Sequence, residues 1–168
     1  PYPLWVTAYG SYGNTLSTAY SPFNEVVLSL GFAIAHIHVR GGRALGGQWH
    51  DAGRGHNKPQ SIQDLITATK WLASDPRIDG NRMIGFGQSA GAAILAAAAN
   101  QSPGLFQALV LDRPFLDPLP ALTARNGPLS ATNHHEFGDP RLPGDYRTIR
   151  SWSPYEQISR QHYPCLLY

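Results

Sequence analysis

The sequence predicts an α/β domain built on a mostly parallel sheet with helices on both faces. Three observations carry this expectation. Short β-rich apolar runs alternate with segments of helical spacing, the central connections are only a few residues long, and such a rhythm implies right-handed crossovers between parallel strands. The 168 residues have the size of one domain and can bury roughly two thirds of their unfolded surface.

Taken in order, "LWVTAYG" (4–10) reads as a strand that stops at glycine, and "FNEVVLSLG" (23–31) as a helix with a terminal glycine. "FAIAHIHV" (32–39) is a near-continuous apolar strand, followed by the glycine-rich loop "RGGRALGGQWHDAGRGHNK". "SIQDLITATKWLA" (61–73) is amphipathic, with Ser61 and Asp64 as its capping signal. Then come a strand "RMIGF" (82–86), an alanine-rich helix "SAGAAILAAAAN" and a strand "ALVLD" (108–112). Residues 113–163 are rich in Pro, Gly, Arg and His and show only weak helical pieces before "YPCLLY" resumes a strand. Such an excursion is where α/β enzymes often build substrate pockets.

Composition narrows the function. Charged residues make up 14% of the chain, below the roughly 25% of an average soluble domain, so much of its surface is expected to be covered. The net charge of +2 and scattered arginines form no stripe for a phosphate backbone, which argues against a nucleic-acid partner. No apolar run approaches the ~20 residues of a membrane span, so no membrane partner is expected. The single Cys165 rules out an internal disulfide and a multi-thiolate zinc site, and its setting suggests a buried, inert thiol. His36 and His38 alternate on one strand but lack a third ligand, while the adjacent His134, His135 and Glu136 diverge. Neither a metal nor another cofactor is expected. Arg40 is expected to hold the glycine-rich loop through carbonyls or carboxylates, and Trp49 and His50 to serve structure in the same loop.

The chemistry centres on Gly87-Gln88-Ser89-Ala90-Gly91, a Gly-x-Ser-x-Gly pattern after a strand and before a helix. That is the setting of the nucleophile elbow of the α/β-hydrolase fold. The glycines have a steric reason, since side chains two positions either side of a serine on so sharp a turn would strike strand or helix. The Ala90 N–H then faces a developing oxyanion, aided by the positive end of the helix. The competing reading makes Ser89 an ordinary helix cap, and the flanking strand and helix favour the elbow. A second oxyanion donor belongs after an earlier strand, where "TAYGSYG" (7–13) offers Tyr9 and Tyr12. From the residues alone, these tyrosines serve packing or oxyanion binding equally well.

The stretches "AYGSYG" (8–13), "AIAHIHVRGGRALGGQWHDAGRGHNK" (33–58), "GQSAGAAILAAAANQSPGLFQALVLDRPFLD" (87–117), "PLSATNHHEFGDP" (128–140) and "SWSPYEQI" (151–158) together resemble the prolyl oligopeptidase family of serine peptidases. Within it they are most similar to the oligopeptidase B branch, and their order and spacing match from end to end. The resemblance implies a partial α/β-hydrolase catalytic domain over 1–168, truncated before its last strands; a cytoplasmic location is a separate expectation. It implies Ser89 as nucleophile, with the Ala90 N–H and the Tyr9 hydroxyl holding the oxyanion. Tyr12 and Phe137 fall at aromatic walls of the specificity pocket. The implied partners are short peptide substrates and a β-propeller of the same protein that restricts access; neither the propeller nor the rest of the catalytic domain lies within these residues. The oligopeptidase B pattern has two acidic residues where this chain has Asn133 and His135, which weakens attraction for a basic P1 side chain and leaves only Glu136 and Asp139 nearby. The triad acid and histidine are expected beyond residue 168. An esterase, an acylaminoacyl peptidase and an inactive binding relative are the alternatives.

Overall fold

The computed structural model describes residues 1–124 and 130–168, so Pro128 and Leu129 of the 128–140 stretch lie outside the described residues. Strand β1 (Tyr2–Ala8) leads to helix α1 (Pro22–Ser29) and strand β2 (Ala33–Ile37). The glycine-rich segment holds a short helix α2 (Gly47–Asp51) and a 3-10 turn (Gly55–Asn57) ahead of α3 (Lys58–Ala73). Strand β3 (Ile78–Gln88), helix α4 (Ala90–Gln101) and strand β4 (Ala108–Asp112) follow. Three further helices, α5 (Pro118–Thr123), α6 (Ser130–Phe137) and α7 (Pro143–Trp152), precede β5 (Cys165–Leu167).

The strands form a five-stranded sheet in the order β2-β1-β3-β4-β5, and all four pairings are parallel. Alternation along β1 sends Leu4, Val6 and Ala8 into the main core, where they join Leu65 of α3 and Leu95 of α4. Trp5 points to the opposite face, stacked on Phe86 at 5.7 Å and edge-on to Phe23 of α1 at 5.7 Å. Helices therefore cover both faces. Nine residues of α4 are buried, mostly alanines, and these small side chains let the helix lie close to the sheet. Fully burying Leu65, Ile94 or Leu95 contributes roughly 1.5–3 kcal/mol each.

The chain runs from β1 through α1 to β2 on one side, then returns past β1 to β3 and through α4 to β4 on the other. The order reverses between β1 and β3, and at such a switch point the carboxyl ends of the strands open a crevice. The residues that leave those two ends are Tyr9 and Ser89.

Four expectations require correction. Helix α3 starts at Lys58 with Asn57 as its N-cap residue, not at Ser61. Ser61 is buried and its hydroxyl donates to the Gly53 carbonyl at 3.1 Å, while Asp64 receives Arg40; tertiary contacts outcompete the local capping pattern. Strand β3 starts four residues before "RMIGF", because its first half pairs with the start of β1 across an irregularity in the register. The described residues of 113–163 hold three helices rather than weak pieces; α7 buries only Ile149 and Trp152, too few positions to declare a period. Cys165 is exposed, because β5 lies at the edge of the described sheet.

Candidate active site at the carboxyl edge of the sheet

Ser89 joins β3 to α4 with φ 52° and ψ −119°. This is a left-handed conformation that costs of order 1–3 kcal/mol and persists only when its surroundings impose it. The Ser89 N–H donates to the Asp112 carbonyl at 3.0 Å, and the Ser89 carbonyl accepts from Phe115 at 3.2 Å. The side chain makes no capping bond to the helix and is exposed. A serine recruited as a helix cap has extended backbone and a capped N–H; Ser89 has neither.

The flanking glycines are steric requirements. A Cβ on Gly87 would lie 2.8 Å from the Ala92 nitrogen, and one on Gly91 would lie 2.5 Å from the Ala8 carbonyl oxygen and 3.1 Å from the Tyr9 Cα. Gly91 thus brings α4 into contact with the end of β1. Gly91→Ala is expected to destabilise the fold by about 1–3 kcal/mol through overpacking, and to move Tyr9 away from Ser89. Urea unfolding and peptide hydrolysis both read this, and unchanged values in both would contradict the contact.

Ala90 is the first residue of α4, so its N–H is among the donors that the helix itself leaves unpaired. Tyr9 is half-buried against the core beside Gly91. Tyr12 (φ 57°) donates its hydroxyl to the Asn133 side-chain oxygen at 2.8 Å and meets Phe137 edge-on at 5.5 Å. Burial, with Tyr9 and Glu136 nearby, pushes the Tyr12 phenol up to about 12, so it stays a neutral donor. Phe137 is 2% exposed and packs also on Phe115 and Trp152.

Among the sequence-derived candidates, Tyr12, Asn133 and Phe137 come together, and Tyr9 meets the Ser89 elbow through Gly91. His135 is exposed, and its ring and carbonyl face Arg54 at 3.2 and 3.3 Å. Asn133 and Phe137 are four residues apart on a helix and share a face; His135, two from each, does not. His36, His50, His56 and His134 are hydrogen-bonded to Asn24, Glu136, Thr148 and the Leu122 carbonyl, in that order. Desolvation, with His38 close by, holds the His36 imidazole below its ordinary value. No group of three metal-ligating side chains occurs among the described residues, and no helix there is long and apolar enough to cross a membrane.

The acidic groups around these residues are occupied. Asp139 pairs with Arg141 at 2.5 Å, and hydrogen bonds from Arg141 bring its carboxyl down to about 2. Asp112, level with Gln88 across β3 and β4, takes Arg113 and the Gln88 amide. Glu136 is 1% exposed and accepts from Lys58 Nζ at 2.8 Å, while its other oxygen meets His50 Nε2 at 2.8 Å. Lys58 is wholly buried and also donates to the Gly10 carbonyl at 2.9 Å and the Ser11 hydroxyl at 3.1 Å. Desolvation pulls its ammonium down, and Glu136 opposes that pull. The sequence carried little signal for Lys58 or Ser11, because a lysine ordinarily reads as surface. In the glycine-rich loop, Arg40 grips Asp64 through its guanidinium at 2.8 Å and its own N–H at 3.0 Å, and Trp49 donates to the His38 carbonyl at 3.1 Å.

A model of the prolyl oligopeptidase family matches residues 18–168. The chain is 33% identical to Protease 2 of Moraxella lacunata over 164 residues, which covers 98% of this chain and 24% of that protein. It is 30% identical to dipeptidyl aminopeptidase BI of Pseudoxanthomonas mexicana, covering 98% and 23%. Among solved structures, it superposes on oligopeptidase B from Leishmania major with a TM-score of 0.93 at 28% identity, over 99% of this chain and 23% of that one. The chain spans about a quarter of the length of these relatives.

Proposed function

The chain belongs to the prolyl oligopeptidase family, and we propose that it carries the nucleophile of a serine peptidase acting on short peptides. The observation that carries this reading is the strained, uncapped Ser89 between two glycines that admit no Cβ. Ser89 Oγ attacks the scissile carbonyl carbon, and the C=O π electrons move onto oxygen. The Ala90 N–H and the Tyr9 hydroxyl hold that oxyanion, which needs donors fixed in advance where charge develops. A histidine acting as general base accepts the serine proton and passes it to the leaving amine; water then releases the acyl group from Ser89. A β-propeller of the same protein, limiting entry to short peptides, belongs to this proposal.

The pocket side chains in this reading are Tyr12, Asn133 and Phe137; His135 faces Arg54 on another side of α6. Lys58 and Arg141 already neutralise the nearby carboxylates of Glu136 and Asp139, which supports a neutral P1 residue over arginine or lysine. The test is hydrolysis by the complete protein of blocked peptidyl amides with neutral or basic P1, set against simple esters. Amide cleavage after a neutral residue is the expected result. Cleavage of esters alone would point to an esterase, and a preference for arginine or lysine would overturn the pocket assignment.

A further inference from the structure

We propose that Lys58 is a positioning residue for catalysis, tying the loop that carries Tyr9 to helix α6 of the specificity pocket through Glu136. The inference rests on the reading of Ser89 as nucleophile and Tyr9 as oxyanion donor. It concerns how Tyr9 is held in place.

Gly10 and Tyr12 both have positive φ, 59° and 57°. The chain turns sharply there, and the Gly10 carbonyl and Ser11 hydroxyl reach a buried region with no strand partner in the sheet register. Both accept from Lys58 Nζ, whose third donor goes to Glu136 Oε1, so the three-donor capacity of the ammonium is filled. Glu136 is anchored in turn by His50, and the neighbouring Phe137 ring lies 5.2 Å from the ammonium. A second tie joins the same two elements, from the Tyr12 hydroxyl to Asn133. Tyr9 directly precedes this pinned segment and abuts Gly91 of the elbow.

Replacing a buried ion pair with apolar residues of similar volume often leaves stability unchanged. What this pair adds beyond stability is position: three bonds from one charge fix two successive loop residues relative to α6. An oxyanion donor loses its effect when displaced by a fraction of an ångström to an ångström. Freed of Lys58, the loop relaxes about its left-handed residues Gly10, Tyr12 and Gly13 and carries Tyr9 with it.

The experiment is a double-mutant cycle in the complete protein, read as kcat and KM for a blocked peptidyl amide. Tyr9→Phe is expected to lower kcat about 10²-fold, as loss of one oxyanion donor does. Removing both charges, Lys58→Met with Glu136→Leu, is expected to keep cooperative unfolding while lowering kcat about 10-fold or more, with KM changed less than about threefold. Added to Tyr9→Phe, the same pair is expected to cost less than about threefold more, because it acts through a hydroxyl already absent. Full multiplication of the two effects would overturn the inference while leaving the oxyanion assignment intact. A silent Tyr9→Phe would overturn that assignment and this inference together. Should the charge-free pair not fold, Ser11→Ala, which removes one of the three bonds, runs the same cycle: coupling to Tyr9→Phe supports the inference and independence contradicts it.

Discussion

Lys58→Met alone is expected to lower the unfolding free energy by about 3–5 kcal/mol, because it leaves the Glu136 carboxylate buried without its cation. Lys58 and Glu136 are 0% and 1% exposed, so water cannot compensate for the lost partner. The same substitution strips the donor from the Gly10 carbonyl and the Ser11 hydroxyl, which adds unpaired polar groups in the interior. Adding Glu136→Leu is expected to restore the part of the loss that comes from the unpaired carboxylate, while the Gly10 carbonyl, the Ser11 hydroxyl and His50 stay without their partners. Equilibrium urea denaturation checks both steps. A single variant as stable as the parent would mean that the network is not buried as described.

Ser89→Ala is expected to abolish peptide hydrolysis by the complete protein, with a loss on the order of 10⁶-fold in kcat, as removal of a serine nucleophile does elsewhere. The fold should survive it. Ser89 makes no side-chain capping bond, so alanine leaves no helix donor stranded, and the backbone strain is the same for either side chain. Loss of activity with unchanged unfolding separates chemistry from structure; retained activity would sink the assignment of Ser89.

The parts legible in the sequence are those with local causes. Strands β1, β2 and β4 announce themselves as β-rich runs ended by turn residues, and α4 by alanines that permit close approach. The Ser89 elbow is legible because its two glycines answer to atoms a few residues away or at the adjoining strand end. The partnership of Tyr12, Asn133 and Phe137 came only with the family resemblance, because 121 residues separate Tyr12 from Asn133. The role of Lys58 is hidden for the same reason, with its partner 78 residues away. Glu136 was noted for its charge, and a sequence does not say that a buried lysine has already taken that charge. The spacing of Ser61 and Asp64 reads as a cap, whereas their side chains hold Gly53 and Arg40 of the preceding glycine-rich segment.

Peptide hydrolysis by the complete protein requires Ser89 to be a nucleophile. Treatment with a serine-directed fluorophosphonate, followed by mass-spectrometric location of the modified peptide, tests this directly. A single adduct on Ser89, absent from the Ser89→Ala variant, is the predicted result. No adduct under conditions that label an active serine hydrolase, or an adduct on another serine, would contradict it.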